Sequence, residues 1–427
     1  MTVRPISVLA SLLLLASAAA SAADAAPSDK PDDADALSLA DEAKPEKRAP
    51  RDWKVFGEGS VSRTWQRSGG PAADGLRLSL DLRYDSTVAP GLRAVLSNRL
   101  DLSHSSQAPR ETNVNTLREA YLSWHASPEL IADIGRINLR YGAALGYNPT
   151  DFFKAGALRS IVSPDPASLR ENRQGTFVIQ GQKLWSRSSL TGVFSPRLGS
   201  TTSNSTFALD LGATNPRNRW LLAGSHKFSE EFNPQLLAYG GADTPTQVGL
   251  NLSGLVNSAT VAFLEFSTGK GRSLVAQALG SVETERMQRR AALGLTYTTA
   301  FNVSLTAEVE HNSAAPDRQQ WNAFSSSAPG NPLRLLGAAQ SLQDLPVRQA
   351  LFFYASWKDV LVRNLDLSAF VRRDSETRSR AQWIEARYRW DSAEVALQWQ
   401  LYSGGPTSLY GSVPQPRRID VLLRYFL

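Results

Sequence analysis

"LRLSLDLRYDSTVAPGLRAVLSNRLDL", running from Leu76 to Leu102, decides the fold. Leu76, Leu78, Leu80, Leu82 and Tyr84 alternate with Arg77, Ser79, Asp81, Arg83 and Asp85. After the turn Val88-Ala89-Pro90-Gly91, the residues Leu92, Ala94, Leu96, Leu100 and Leu102 alternate with Arg93, Ser97, Arg99 and Asp101. A period of two is that of an extended strand, and Pro-Gly at this spacing reverses the chain. The stretch is a hairpin with one greasy face and one ionised face.

Working outward, the same pattern returns at Val303–Val309, Leu365–Val371 and Val395–Leu401. It returns again where Ile384, Ala386, Tyr388 and Trp390 oppose Glu385, Arg387 and Arg389. A soluble β-sandwich would alternate in this way too. Three features point instead to a closed barrel in a membrane. The runs are about as long as the 9–11 residues of a tilted membrane-crossing strand. Short connections (Val88–Gly91, Ala126–Glu129, Thr299–Asn302, Asp391-Ser392) alternate with long ones (Gly142–Gln174, Asn312–Val347, Ser403–Pro416), as periplasmic turns and external loops do. Aromatic residues on the greasy face (Tyr84, Trp124, Tyr297, Trp357, Tyr388, Trp390, Tyr425) gather beside the short turns, the headgroup level of an interfacial girdle.

The fold expected is therefore all-β, a transmembrane antiparallel β-barrel of about 18 strands, within a range of 16 to 20 because Ser195–Gly254 can be divided in more than one way. Its last strand, Ile419–Leu427, needs a partner for its backbone in hydrocarbon, and the strand near Trp53–Arg67 supplies one. At this strand number side chains alone do not fill the interior.

The remaining composition fits an exported chain. Arg4, the apolar run Ser7–Ala20 and Ala20-Ser21-Ala22 have the order of a signal peptide over residues 1–22. Residues 23–52, rich in Ala, Asp, Pro and Lys, read as a disordered periplasmic leader. No run after residue 22 is apolar for the roughly 18 residues that a membrane-spanning helix needs. The chain has no cysteine, which excludes disulfides and thiolate chemistry. Its net charge is +6; taking off Arg4 and a leader of five basic and nine acidic residues leaves +9 for residues 53–427. In an exported protein that surplus is not a nucleic-acid footprint.

Two readings of the charged face stand side by side. Arg77, Arg83, Arg93, Arg99, Arg372, Glu385, Arg387 and Arg389 could line a pore whose field favours anions, or could pair with one another and simply solvate a wet wall. The connection at 142–174 is long enough to fold into the barrel, with Thr150 capping a short helix through Leu158 after a bulge at Gly135-Arg136. Asn148, Asp151, Lys154, Arg159, Arg170 and Arg173 would then line a constriction; a loop packed across the mouth is the alternative.

Leu117-Arg118-Glu119-Ala120-Tyr121-Leu122-Ser123-Trp124, Gly135-Arg136-Ile137, Tyr141-Gly142, Asn148-Pro149-Thr150-Asp151 and Leu169-Arg170-Glu171 resemble the amino-terminal third of porin-like channels of the alginate-export type. Tyr425-Phe426-Leu427 is similar to the assembly signal of bacterial outer-membrane proteins, with Leu where Phe is usual. These resemblances imply a Gram-negative outer-membrane channel for passive diffusion of small hydrophilic, often anionic, solutes. They also imply a setting of outer-membrane lipid and lipopolysaccharide, and contact with the barrel-assembly machinery through the last strand. A scaffold or exit port for a periplasmic partner, held by the leader, is the alternative function. His104, His125, His226 and His311 stand on separate segments with no nucleophile-elbow or paired-histidine metal motif, so no enzyme, metal or cofactor is expected.

Overall fold

Leu78 and Leu80 are 55% and 48% exposed while Ser79 and Asp81, between and after them, are 8% and 4% exposed. Apolar residues outside and charged residues inside invert the soluble pattern and dispose of the sandwich. The computed structural model describes residues 52–427 apart from 108, 110 and 230. The stretches expected to be a signal peptide and, all but Asp52, a leader lie outside the described residues.

Eighteen antiparallel strands close into one sheet. In chain order they are β1 Trp53–Trp65, β2 Ala73–Ala89, β3 Leu92–Ser105, β4 Glu111–Ser127, β5 Leu130–Ile137 and β6 Thr176–Leu184. There follow β7 Ser188–Ser195, β8 Arg219–His226, β9 Gln235–Gly241, β10 Thr244–Asn257, β11 Thr260–Gly271 and β12 Arg286–Thr298. The set ends with β13 Val303–Asn312, β14 Gln349–Trp357, β15 Leu365–Asp374, β16 Arg380–Arg389, β17 Ala393–Ser403 and β18 Arg417–Phe426. Each strand pairs with its chain neighbours, and β18 pairs with β1 from Phe56↔Phe426 to Trp65↔Arg417, which removes the sheet edge.

The greasy face of β3 from Leu92 to Leu102 covers eleven residues, which at a tilt of about 40° spans about 25 Å of hydrocarbon. Trp124, Tyr297, Trp357 and Tyr425 stand exposed at the short-turn end, and Trp65 and Trp220 mark the other rim. The alternation is not strict: at the long-loop end β9 and β10 are joined by Ala242 and Asp243 alone, with Asp243 at φ 56°, and β15 and β16 by residues 375–379, while residues 227–234 join β8 and β9 at the other end.

The long connections carry five helices, α1 Pro166–Glu171, α2 Leu211–Thr214, α3 Leu274–Leu279, α4 Arg318–Ser327 and α5 Asn331–Leu342. Two apolar clusters tie them to the wall. In one, Leu274, Trp321, Phe324 and Leu335 pack with Ala144 and Tyr147. In the other, Phe153 packs on Val178, Val193, Leu221 and Leu237, the inward residues of β6 to β9.

Two local expectations fail. No helix starts at Thr150: its hydroxyl bonds instead to Asn251 Oδ1 at 2.7 Å and Glu265 Oε2 at 3.1 Å, and the one helix of this connection is α1, capped by Asp165. Nor is there a bulge at Gly135-Arg136, where the pairing with Tyr121 and Ala120 stays in step. Gly135 is needed there because a Cβ would lie 2.3 Å from Ala120 O, at a φ of +134°. The bulge is on the neighbouring pair, between Ser97 and Asn98 of β3 opposite β4.

Candidate functional site

The inner wall is built by the ionised positions of the strands, and many of its charges are mutually paired. Arg118 of β4 donates to Asp81 of β2, and Arg99 of β3 reaches Asp101 at 2.9 Å and Glu58 of β1 at 2.7 Å. Glu58 also accepts from Arg77 at 2.9 Å and from Arg424 of β18 at 2.9 Å. Arg424 lies 3.5 Å from Glu394 of β17, which accepts from Arg387 of β16 at 2.7 Å; Arg387 bonds Glu385 at 2.8 Å. A chain of ion pairs thus crosses seven strands.

The other sequence-derived wall residues follow the same rule. Arg93 grips Asp85 with two bonds of 2.6 Å, Arg83 lies 3.4 Å from the same carboxylate, and Arg389 binds Asp366. Arg372 bonds Glu310 at 3.0 Å and stacks on Phe352 with its guanidinium 5.0 Å from the ring centroid. The Glu310 carboxylate is fully buried, so losing its partner Arg372 is costly, whereas the side chains of Arg83, Arg93 and Arg389 are exposed and their pairs are screened.

Residues 138–175 cross the interior, and the wall holds their backbone. Glu265 of β11 accepts from Ala144 N at 2.6 Å and from Asn148 Nδ2 at 3.2 Å. Glu308 of β13 accepts from Leu145 N at 2.6 Å and Gly146 N at 3.0 Å, and Arg372 donates to Gly146 O. From other sides, Arg77 donates to Val162 O at 3.3 Å, Gln398 to Ser163 Oγ at 3.3 Å and Tyr354 to Asp165 Oδ1 at 3.3 Å. Gly146 has to be glycine, because a Cβ would sit 2.5 Å from Glu310 Oε1 and 2.6 Å from Phe352 Cδ1.

Residues 313–348 fold against this segment. Gln343 donates to Lys154 O, Gly156 N donates to Ser341 O at 2.8 Å, and Tyr147 OH donates to Asp344. Arg173 binds both Asp151 and Gln343. Arg159, expected at a constriction, is instead spent on residues 196–218: it donates to Ala208 O at 2.7 Å and Ser205 O at 3.1 Å, and to Asn115 O at 2.7 Å.

Cavities remain among the described residues. One of about 410 Å³ is lined by Asn148, Lys154, Arg170, Arg173 and Arg372 together with Leu158, Leu169, Phe352 and Phe370. A second, of about 170 Å³, is lined by Ser163, Asp165, Tyr354, Glu385, Arg387 and Gln398. Pro164 and Pro166 face the first and Ser163, Asp165 and Ser168 the second, so residues 163–168 form the partition between them. A third, of about 590 Å³, is lined by Asp151, Lys154, Arg217, Arg219, Lys270 and Arg290 among others. Among the described residues no group of three His, Asp or Glu side chains is placed to hold a metal.

Burial tunes the loop groups. It pulls Lys154 down to about 8, against the opposing pull of Asp344 and Asp151. It raises Asp165 and Tyr147, and it lowers Arg170. Lys154 donates to Asn148 O at 2.6 Å and lies 4.8 Å above the Tyr147 ring.

Sequence reasoning missed Tyr354, Asp165, Gln398, Phe352 and Phe370. The alternation of Val395–Leu401 puts Gln398 on the polar face, but only the path of 138–175 shows which inward residues meet the partition.

A closed, lipid-facing barrel of eighteen strands with a long connection folded into its interior is the architecture of outer-membrane porins. Solved structures share this fold. The chain superposes on OccAB1 of Acinetobacter baumannii with a TM-score of 0.57 at 10% identity, over 88% of this chain and 96% of that one. Pseudomonas aeruginosa OccK5 (OpdH) gives 0.54 at 10% identity over 88% and 98%, and OccK2 (OpdF) of the same organism, solved in complex with glucuronate, gives 0.53 at 11% over 88% and 97%. At these identities the likeness is one of fold. No family model matches the chain and no curated protein matches it. The resemblance of residues 117–175 to alginate-export channels gains no support from these structures, which are of the Occ type.

Proposed function

We propose that this protein is a channel of the Gram-negative outer membrane through which small, hydrophilic, anionic solutes diffuse. The observation that carries the reading is the pair of cavities on the two sides of residues 163–168, the larger faced by Lys154, Arg170, Arg173 and Arg372. Solute moves from the long-loop side past this partition toward Glu385 and Arg387, and residues 138–175 act as the constriction. Arg77, Arg83, Arg93, Arg99 and Arg389 serve the wall through their ion pairs, and Arg372 and Arg173 share their charge with Glu310 and Asp151, so selectivity rests first on Lys154 and Arg170. Glucuronate, bound by OccK2, is a hydroxylated carboxylate, and a solute of that kind matches polar and basic groups set beside Phe352 and Phe370.

Reconstituted in a planar bilayer, the protein should conduct, with a reversal potential in a salt gradient that reports anion preference. Arg170→Glu should move that potential toward cations; no conductance, or an unmoved potential, would refute the reading. Lys154 adds a pH test. Raising the pH through about 8 removes its proton and one positive charge from the cavity wall. Anion preference should therefore fall between pH 7 and 9.5, while Lys154→Gln shows a flat profile at the lower value. Equal profiles would take Lys154 off the solute path.

A further inference from the structure

We infer that the outward face of β15, β16 and β18 at the long-loop rim is a binding site for the phosphate groups of an outer-leaflet glycolipid. This rests on the outer-membrane placement above and is independent of the solute carried.

Arg373 and Arg380 are directly opposite one another in the β15–β16 ladder. Facing residues of an antiparallel pair share a face, with Cβ atoms about 5 Å apart, and like charges placed so repel. The face is the lipid one. Arg373 is paired on its other side with Leu351 and lies two residues beyond Val371, whereas Arg372, between them, points inward to Glu310.

Both arginines are exposed, as are Arg378 in the turn that joins their strands and Arg417 at the start of β18. Arg417 is two strand spacings from β16, about 10 Å. The greasy wall below them includes Ile384, Leu397 and Phe353, exposed by 46%, 52% and 50%. The arginines therefore stand at the level where acyl chains give way to headgroups.

Their pairing contrasts with that of the inner wall. Arg77, Arg99, Arg118, Arg387 and Arg424 each meet a carboxylate within 3 Å. Among the described residues Arg373, Arg378, Arg380 and Arg417 meet none; Arg380 Nε donates to Ser403 Oγ at 2.9 Å. The nearest acid of the turn, Glu376, is engaged by the backbone N–H of Arg318 at 3.0 Å. Two arginines whose Cβ atoms lie about 5 Å apart can both reach one phosphate monoester, which takes parallel N–H bonds and relieves their repulsion. Headgroup phosphates are the anions present at this depth, over a wall that holds the attached acyl chains.

The test uses the full chain folded in detergent and titrated with diphosphorylated lipid A, with bound glycolipid counted by native mass spectrometry. Wild-type protein should bind it, and the double variant R373Q/R380Q should bind roughly 30-fold more weakly, at about 1 kcal/mol for each arginine. Lys358→Gln, on a short turn at the opposite end, should bind as wild type does. Wild-type protein should also bind dephosphorylated lipid A much more weakly, a comparison that needs no variant. Unchanged single-channel conductance would show that the double variant is an intact barrel. Equal affinity of wild type and double variant overturns the inference. So does equal affinity for the phosphorylated and dephosphorylated lipids, or competition by inorganic phosphate at the concentration of the lipid.

Discussion

Glu308→Ala is expected to raise the single-channel conductance severalfold and to make the current noisy. The Glu308 carboxylate is 2% exposed and is the acceptor for Leu145 N and Gly146 N, the two amides at the apex of the in-folded segment. Removing it strands two partly buried N–H groups, each at a cost of up to about 1–3 kcal/mol. The segment escapes that cost by leaving the wall and reaching water, which widens the lumen. The bonds from Glu265 to Ala144 and Asn148 keep its other end tied, so the released segment fluctuates. Recordings at constant salt and pH decide the matter: conductance equal to wild type, with equal noise, would mean that 144–146 is held by something other than this carboxylate. Glu308→Gln keeps one acceptor oxygen and should fall between the two.

Glu58→Gln should cost the barrel about 3–5 kcal/mol, the scale of breaking one partner out of a buried ion pair. Glu58 receives Arg77, Arg99 and Arg424, and Arg77 and Arg99 are only 8% and 2% exposed. Without its charge three guanidinium groups converge on a neutral amide with little water to screen them. The midpoint of urea unfolding, followed by tryptophan fluorescence, should drop clearly. Glu129→Gln is the control, since its partner Lys183 sits at 2.6 Å but the two side chains are 60% and 40% exposed. An exposed pair of that kind contributes about 0–1 kcal/mol. Equal midpoints for Glu58→Gln and wild type would show that the wall network adds nothing to stability.

The two predictions use opposite sides of one design. On much of the wall acids and bases pair with one another, whereas several basic residues of the loops and rims meet no acid. That is why Lys154 and Arg170 can set a solute preference and Arg373 and Arg380 can face a headgroup, while Arg99 can do neither.

Most of the barrel was legible in the chain. Leu76–Leu102 reads correctly because a strand between lipid and water has one chemistry on each face, and period two then shows in the residues themselves. Ser195–Gly254 was ambiguous for a physical reason: Val193, Leu221, Leu237 and Tyr239 point inward, yet are apolar because they pack on Phe152 and Phe153. With greasy residues on both faces the alternation vanishes, and the two-residue β9–β10 turn removes the other cue.

The sequence by itself determined the class of fold, the approximate strand number and the ionised character of the inner face, because local periodicity and turn chemistry are enough to specify a strand and its two sides. Only the tertiary structure decided what those charges do. Whether Arg99 is a free pore charge or one partner of Glu58 depends on a carboxylate 41 positions away. Whether Arg170 faces a cavity while Arg159 is buried under residues 196–218 depends on how three connections fold together inside the barrel. Such contacts are set by closure of the sheet, which brings distant strands within reach of one another, and no pattern along the chain encodes them.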